Sequence, residues 1–374
     1  MTTIEPALSE QRPEAPEPTR SVAPAISAWL PTWDLITTKH LEIRKRRGLI
    51  ITVAVLIVAP TVLIYGFRLL FHAVDASSYG LAGSPGIFGE LSNLMAEFGF
   101  IGAAALGAAV GTTDLTDGMF RHLVITGRSR LALYLARIPA GLAIIIPLVA
   151  LGFAMNCLVT SYESPPAPTS VALYGLTVPQ HFNQSELQTW LLERPQQAAS
   201  NLPGPAGPGA TRAQVRTEID TNIASLYSTY TTAEIANSNP ADNEMAKIGL
   251  WLELEVGIGF LVGLGLGSLT GQRTTTTIVL IALEIIVTPL LARVQIPYFI
   301  DGQRLDIGVA MDQLRPAALA PGPQGGGGPG QLLFGGRGAL SIPAMPTWAM
   351  ITVIVGWIVG WSVIGAWRMM TRDA

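Results

Sequence analysis

The chain has 374 residues, of which 49% are hydrophobic and only 13% charged, and its mean hydropathy is +0.42. A soluble domain carries about 25% charged residues, so the composition excludes an ordinary soluble enzyme and points to a membrane protein. The net charge of −3 builds no field that would gather nucleic acid, and the one cysteine, Cys157, excludes an intrachain disulfide.

Residues 1–28 are rich in Pro, Glu, Ala and Thr and lack the apolar run of a signal peptide. They are expected to form a disordered cytoplasmic tail. In residues 29–48, Trp29, Leu30, Trp33, Ile36 and Ile43 recur at near-helical spacing beside Lys39 and the run Arg44, Lys45, Arg46, Arg47. That pattern predicts an amphipathic elbow helix in the cytoplasmic headgroup layer.

A helix needs about 20 apolar residues to cross the hydrocarbon core. Six segments qualify: Leu49–Phe71, Asn93–Thr112, Leu133–Val159, Ala246–Leu269, Thr274–Ala292 and Pro346–Trp367. The second is the least apolar, being built largely of Ala and Gly. Basic residues before the first span and at Arg121, Arg128, Arg130, Arg273, Arg368 and Arg372 place both termini in the cytoplasm, and residues 72–92 contain no Lys or Arg, as an outer loop should. Spans one to three then occupy 49–159 and spans four and five 246–292. Span six and a cytoplasmic C-terminus occupy 346–374. The expected fold is an all-α polytopic protein of the cell membrane.

Two outer segments are large. Residues 160–245 open on a Pro-rich linker and predict two polar helices, near Ser185–Arg194 and Thr211–Ala236, split by LPGPAGPG. With few aliphatic residues, this helical insert is expected to have only a small core. Residues 293–345 predict a short helix near Ile307–Leu314 and then a Gly/Pro-rich linker, PGPQGGGGPGQ.

Within the spans, Gly99, Ala103, Gly107 and Gly111 recur every four residues in span two, and Gly259, Gly263, Gly267 and Gly271 in span four. Such spacing lets helix backbones approach closely. It does not say whether the partner lies in this chain or in a second copy. Pro60, Pro139, Pro147 and Pro289 predict kinks. Ionisable groups in lipid are costly and mark functional candidates. Glu97, Glu253, Glu255 and Glu284 qualify, with Arg137 at the inner end of span three. Glu97, Glu253 and Glu284 are taken as candidates for a polar translocation route, against a structural reading as neutral or Arg137-paired acids. Glu253 and Glu255 cannot share a helix face.

The inner segment 113–130 is the most informative. Thr112, Thr113 or Asp114 could cap a short helix with Asp117 in its first turn. Leu115, Met119, Leu123 and Val124 would form an apolar stripe beside Arg121 and His122. Asp114, Asp117, Met119, Arg121 and Leu123 are the expected contacts to a cytoplasmic partner. No phosphate loop occurs, the four histidines have no metal spacing, and no histidine lies in another span to activate Ser268. Hence no catalytic site and no cofactor are expected in the chain itself.

This order of features resembles the permease subunit of type-2 ABC exporters, over roughly residues 30–374 without the insert. The local match lies in 112–137, where an acidic, Thr- and Gly-containing start precedes MFRHLVITGRSRLALYLAR. GSLTGQR at 267–273 and the terminal GAWRMMTRDA are also similar to the family. The resemblance implies an elbow helix, six spans and a coupling helix between spans two and three. It also implies a second permease copy and a separate cytoplasmic ATPase subunit carrying ATP and Mg. The large insert departs from the simplest members, as does the extended loop before span six, where the family often has short re-entrant helices. A secondary transporter and a non-transporting scaffold or sensor are the alternatives, and the substrate is not readable.

Overall fold

A computed structural model describes residues 30–76, 78–116, 129–164, 169–202, 210–287, 299–316, 319 and 345–371. The expected tail, residues 117–128 of the inner segment, Pro289 with the end of the fifth apolar segment, and the Gly/Pro-rich linker lie outside these residues.

The fold is mostly helical, and five helices are long and apolar enough to cross a membrane. They are α2 (Arg47–Val74), α3 (Pro85–Thr116), α4 (Arg130–Tyr162), α8 (Asp242–Thr270) and α12 (Thr347–Thr371). This is the architecture of a multi-pass helical membrane protein. A shorter helix, α1 (Trp33–Lys45), precedes α2, with the single residue Arg46 between them. The candidate fifth span begins as α9 (Arg273–Ala282) and continues into a π-helical turn, Leu283–Val287.

Local chemistry sets the helix ends. Ser84 precedes Pro85, whose missing N–H costs nothing at a first helical position. Ser129 accepts from Ala132 N (3.1 Å) and caps α4. Gly271 closes α8 in the left-handed region at φ 69°, with its N–H on the Gly267 carbonyl (2.9 Å).

The spans fall into two kinds. In their most apolar stretches, 72% of α3 and 61% of α8 is buried, against 22% for α2, α4 and α12. Thus α3 and α8 form the centre. Their low apolarity follows, because they face protein and pack through small residues.

The insert has helices at both expected places, Gln184–Glu193 and Arg212–Asn237, but it is not purely helical. It contains a β-hairpin, β1 (Ser170–Leu173) antiparallel to β2 (Leu176–Pro179). Tyr174 (φ 47°) and Gly175 (φ 85°) form the turn, with both central residues at positive φ as a two-residue hairpin favours. The alternation puts Val171, Leu173, Leu176 and Val178 on one buried face. They pack on α5 (Gln184–Glu193), α6 (Pro195–Asn201) and α7 (Arg212–Asn237) through Leu187, Leu191, Ala198, Val215, Ile219, Leu226 and Tyr230. α5 and α7 each start on a capping box, Asn183 with Glu186 and Thr211 with Gln214. The insert therefore has a closed core of its own. A side-chain hydrogen bond from Asn239 to Ser164 joins its two ends.

Candidate functional site

The centre is the contact between α3 and α8. A Cβ on Gly259 would lie 2.8 Å from the Phe100 carbonyl oxygen, and one on Gly267 the same distance from the Ala108 oxygen. On Gly111 it would lie 2.7 Å from the Leu264 oxygen. Gly107 and Gly263 are tighter still, against the Phe260 and Ala104 carbonyls. Both glycine rows thus face each other inside one chain, which answers the question that their spacing left open. Gly265, outside either row, meets Trp361 of α12, and Gly365 of α12 meets Tyr134 and Gly265.

Two short helices, α10 (Ile300–Gln303) and α11 (Ile307–Gln313), precede the last span, and α11 packs against α12. Trp357 of α12 donates to the Leu305 carbonyl (2.8 Å), and Trp251 of α8 donates to the Met311 carbonyl (3.4 Å). Gln313 accepts from the Met345 N–H (2.8 Å). Arg304 pairs with Asp301 (3.0 Å) and Arg315 with Asp312 (2.9 Å), and the Arg315 guanidinium lies 5.5 Å above the Trp251 ring.

The acidic candidates separate. Glu97 on α3 is partly buried and interacts electrostatically with Arg315 and Asp312. Glu253 is partly buried, while Glu255, two residues on, is buried at 9% exposure. Glu255 borders a space of about 10 Å³ with Phe100, Ile258, Ile307, Gly308 and Met311. Of the two, Glu255 is the one that faces protein. Its position on the face of α8 that carries Gly259 (i+4) is the sequence signal that ranks it above Glu253. Glu284 lies on the π-helical turn, well apart in the chain from these groups.

Near the C-terminal end of α3, Arg137 of α4 is 1% exposed and donates to the Gly111 carbonyl (3.2 Å). It lines a space of about 10 Å³, room for about one water, with Lys39, Glu42, Arg46 and Thr113. Arg130 donates to the Met370 carbonyl (3.0 Å), tying α4 to α12. Asp114 lies on the last turn of α3. Asp117, Met119, Arg121 and Leu123 lie outside the described residues. One expectation is corrected here: Thr112 and Thr113 lie inside α3 and do not open a new helix. α3 runs on to Thr116, and their hydroxyls bond back to the Ala108 (3.0 Å) and Ala109 (2.7 Å) carbonyls. A buried threonine satisfies its hydroxyl this way without ending the helix.

Among the described residues no group of His, Cys, Asp and Glu could hold a metal. The arrangement is one of close helix packing with a polar, partly charged patch beneath two short helices. Comparison with family models, curated proteins and solved structures finds no match to this chain.

Proposed function

We propose that the chain is the permease subunit of a type-2 ABC exporter, in which two permease copies enclose the path and a cytoplasmic ATPase subunit supplies ATP hydrolysis. The observation that supports this most is the short helix α11, which packs on α12 and receives the Trp251 hydrogen bond from α8, with α10 just ahead of it in the chain before the last span. The resembled family often has short re-entrant helices at that place, and the sequence predicted a short helix near Ile307–Leu314, where α11 lies. The separate helix α1, ahead of the first span, fits the family's elbow. In this reading both termini are cytoplasmic, the insert is outside, and α9 with the residues after it completes a sixth span. Glu97, Glu255 and the charged pairs of α10 and α11 form the polar outer part of the route.

The folded insert favours one second reading, a membrane sensor whose outer domain takes a ligand. One experiment separates the two. Met119→Asp and Leu123→Asp each place a carboxylate in the apolar stripe that would dock on the ATPase. Copurification of the ATPase should be abolished in both, and only weakened in Arg121→Ala, with the variants still monodisperse. Undiminished copurification and transport in both Asp variants would remove the exporter reading.

A further inference from the structure

The junction of α1 and α2 carries a feature that transport does not use. Arg46 holds φ −82° and ψ 60°, outside the helical region, so the helix is interrupted there. One side of α1 is fixed to the body of the protein: Ile43 is buried, Lys39 is buried and paired with Glu42 (2.9 Å), and His40 Nδ1 lies 3.3 Å from the Ala140 carbonyl of α4. The other side borders an open groove of about 760 Å³, within the roughly 300–1,000 Å³ of small-molecule clefts. Its lining is Leu41, Arg44, Lys45, Arg47, Ile50 and Ile51.

We infer that this groove binds an anionic phospholipid, with the phosphate among Arg44, Lys45 and Arg47 and the upper acyl chain along Leu41, Ile50 and Ile51. Three cations and three aliphatic side chains line it, and no acid does. The three cations are exposed, and so are Leu41 (53%) and Ile51 (60%). α2 is a spanning helix whose apolar run begins just beyond Arg47, so the groove lies at the depth of lipid phosphates. Guanidinium groups bind phosphate oxygens in pairs, and juxtamembrane clusters of this kind attract anionic lipid. A zwitterionic lipid brings its own cation beside the phosphate and leaves the groove with an excess of positive charge. A free phosphate would leave the aliphatic floor uncovered. Only an anionic amphiphile uses both halves. Because packing on α4 fixes the opposite side of α1, the groove exists before the lipid arrives. The inference needs α2 to span a membrane and does not need an ATPase partner.

The test uses the full chain, delipidated in non-ionic detergent. Dioleoylphosphatidylglycerol and dioleoylphosphatidylcholine are titrated in turn and followed by native mass spectrometry. Inorganic phosphate is tested separately by thermal unfolding. The anionic lipid should bind at least about tenfold tighter than the neutral one. The triple variant Arg44→Gln/Lys45→Gln/Arg47→Gln should weaken it on the order of a hundredfold, while Arg212→Gln/Arg216→Gln in the insert leaves it unchanged. Phosphate alone should not shift the unfolding temperature. Leu41→Glu keeps every cation, and with them the topology signal, yet should also weaken the anionic lipid by about tenfold or more. Equal binding of the two lipids, undiminished binding in Leu41→Glu, or stabilisation by phosphate equal to that by the anionic lipid would each overturn the proposal.

Discussion

Trp357 donates its indole N–H to the Leu305 carbonyl oxygen 2.8 Å away, so the last span holds the short-helix segment that precedes it in the chain. Trp251 does the same from α8 at Met311. Backbone outside regular helix needs donors for its carbonyls, and the Trp357 indole supplies one at Leu305.

Trp357→Phe keeps the ring and removes the donor. It should cost about 0.5–1.5 kcal/mol and loosen the segment around Leu305. In a Cys157→Ala background, Gly308→Cys should then react faster with an impermeant thiol reagent when Trp357→Phe is added. Identical labelling rates would show that the bond does not hold the segment.

The glycine rows predict a contrast between two substitutions of the same kind. Gly263→Leu drives a side chain into the backbone of α3 at Ala104, whereas Gly356 and Gly360 on α12 have nothing within 4 Å. The first should cost at least about 3 kcal/mol, the top of the usual range for overpacking, and lower the unfolding temperature or prevent assembly. Gly356→Leu should be tolerated in the same assay. Equal heat stability of both variants would contradict the packing described.

A third test concerns the polar cluster between α2, α3 and α4. Tyr65 donates to the Asn156 side-chain oxygen, and Asn156 donates to Ser92 (2.9 Å) and to the Phe88 carbonyl (3.4 Å), all of it buried. Tyr65→Phe strands a buried acceptor and should cost about 1–3 kcal/mol. The double variant Tyr65→Phe/Asn156→Leu should cost less than the sum of the singles, because they share one network. Additive shifts in the denaturation midpoint would show that the groups act separately.

In the insert, Tyr230 donates to the Pro179 carbonyl (2.8 Å) and accepts from the Phe182 N–H (3.1 Å). Burial is the main cause that raises its phenol pKa above the usual 10.0, and the Phe182 hydrogen bond opposes it. A raised pKa favours the neutral phenol in the folded state. That contribution is present below pH 10 and is lost as pH rises through the folded pKa. The insert should therefore lose stability in this alkaline window, and Tyr230→Phe should flatten that part of the profile. The near-ultraviolet dichroism of the full chain, followed against pH, would show it; an unchanged profile in the variant would rule it out.

Hydropathy carried most of the membrane architecture, because five spans are long and apolar regardless of their neighbours. Helix ends moved outward by a few residues at polar positions such as Asp242 and Tyr162, which close a helix without being apolar. The hairpin at 170–179 was missed because its strands are four residues each. Its signal was nonetheless present: Val171, Leu173, Leu176 and Val178 alternate around Tyr174-Gly175. In the candidate site, the glycine spacing was legible and its partner was not, since spacing on one helix carries no address. The step from Glu255 to Gly259 set Glu255 on the packed face, but its neighbours Ile307 and Met311 lie far along the chain and were not legible.

The glycine contact also constrains how the chain is made. α3 is synthesised before α8, with α4 and the whole insert emerging between them, and domains form in that order on the ribosome. With a mean hydropathy of 1.6, against 2.5 for α2 and α4, α3 is a weak candidate to hold itself in lipid. Its retention falls first on α2 and then on α4, and its small-residue face stays unmatched until α8 has emerged. A nascent chain arrested before Asp242 should therefore expose α3 to crosslinking by lipid or by the insertion machinery. The same crosslinks should vanish once Thr270 has emerged.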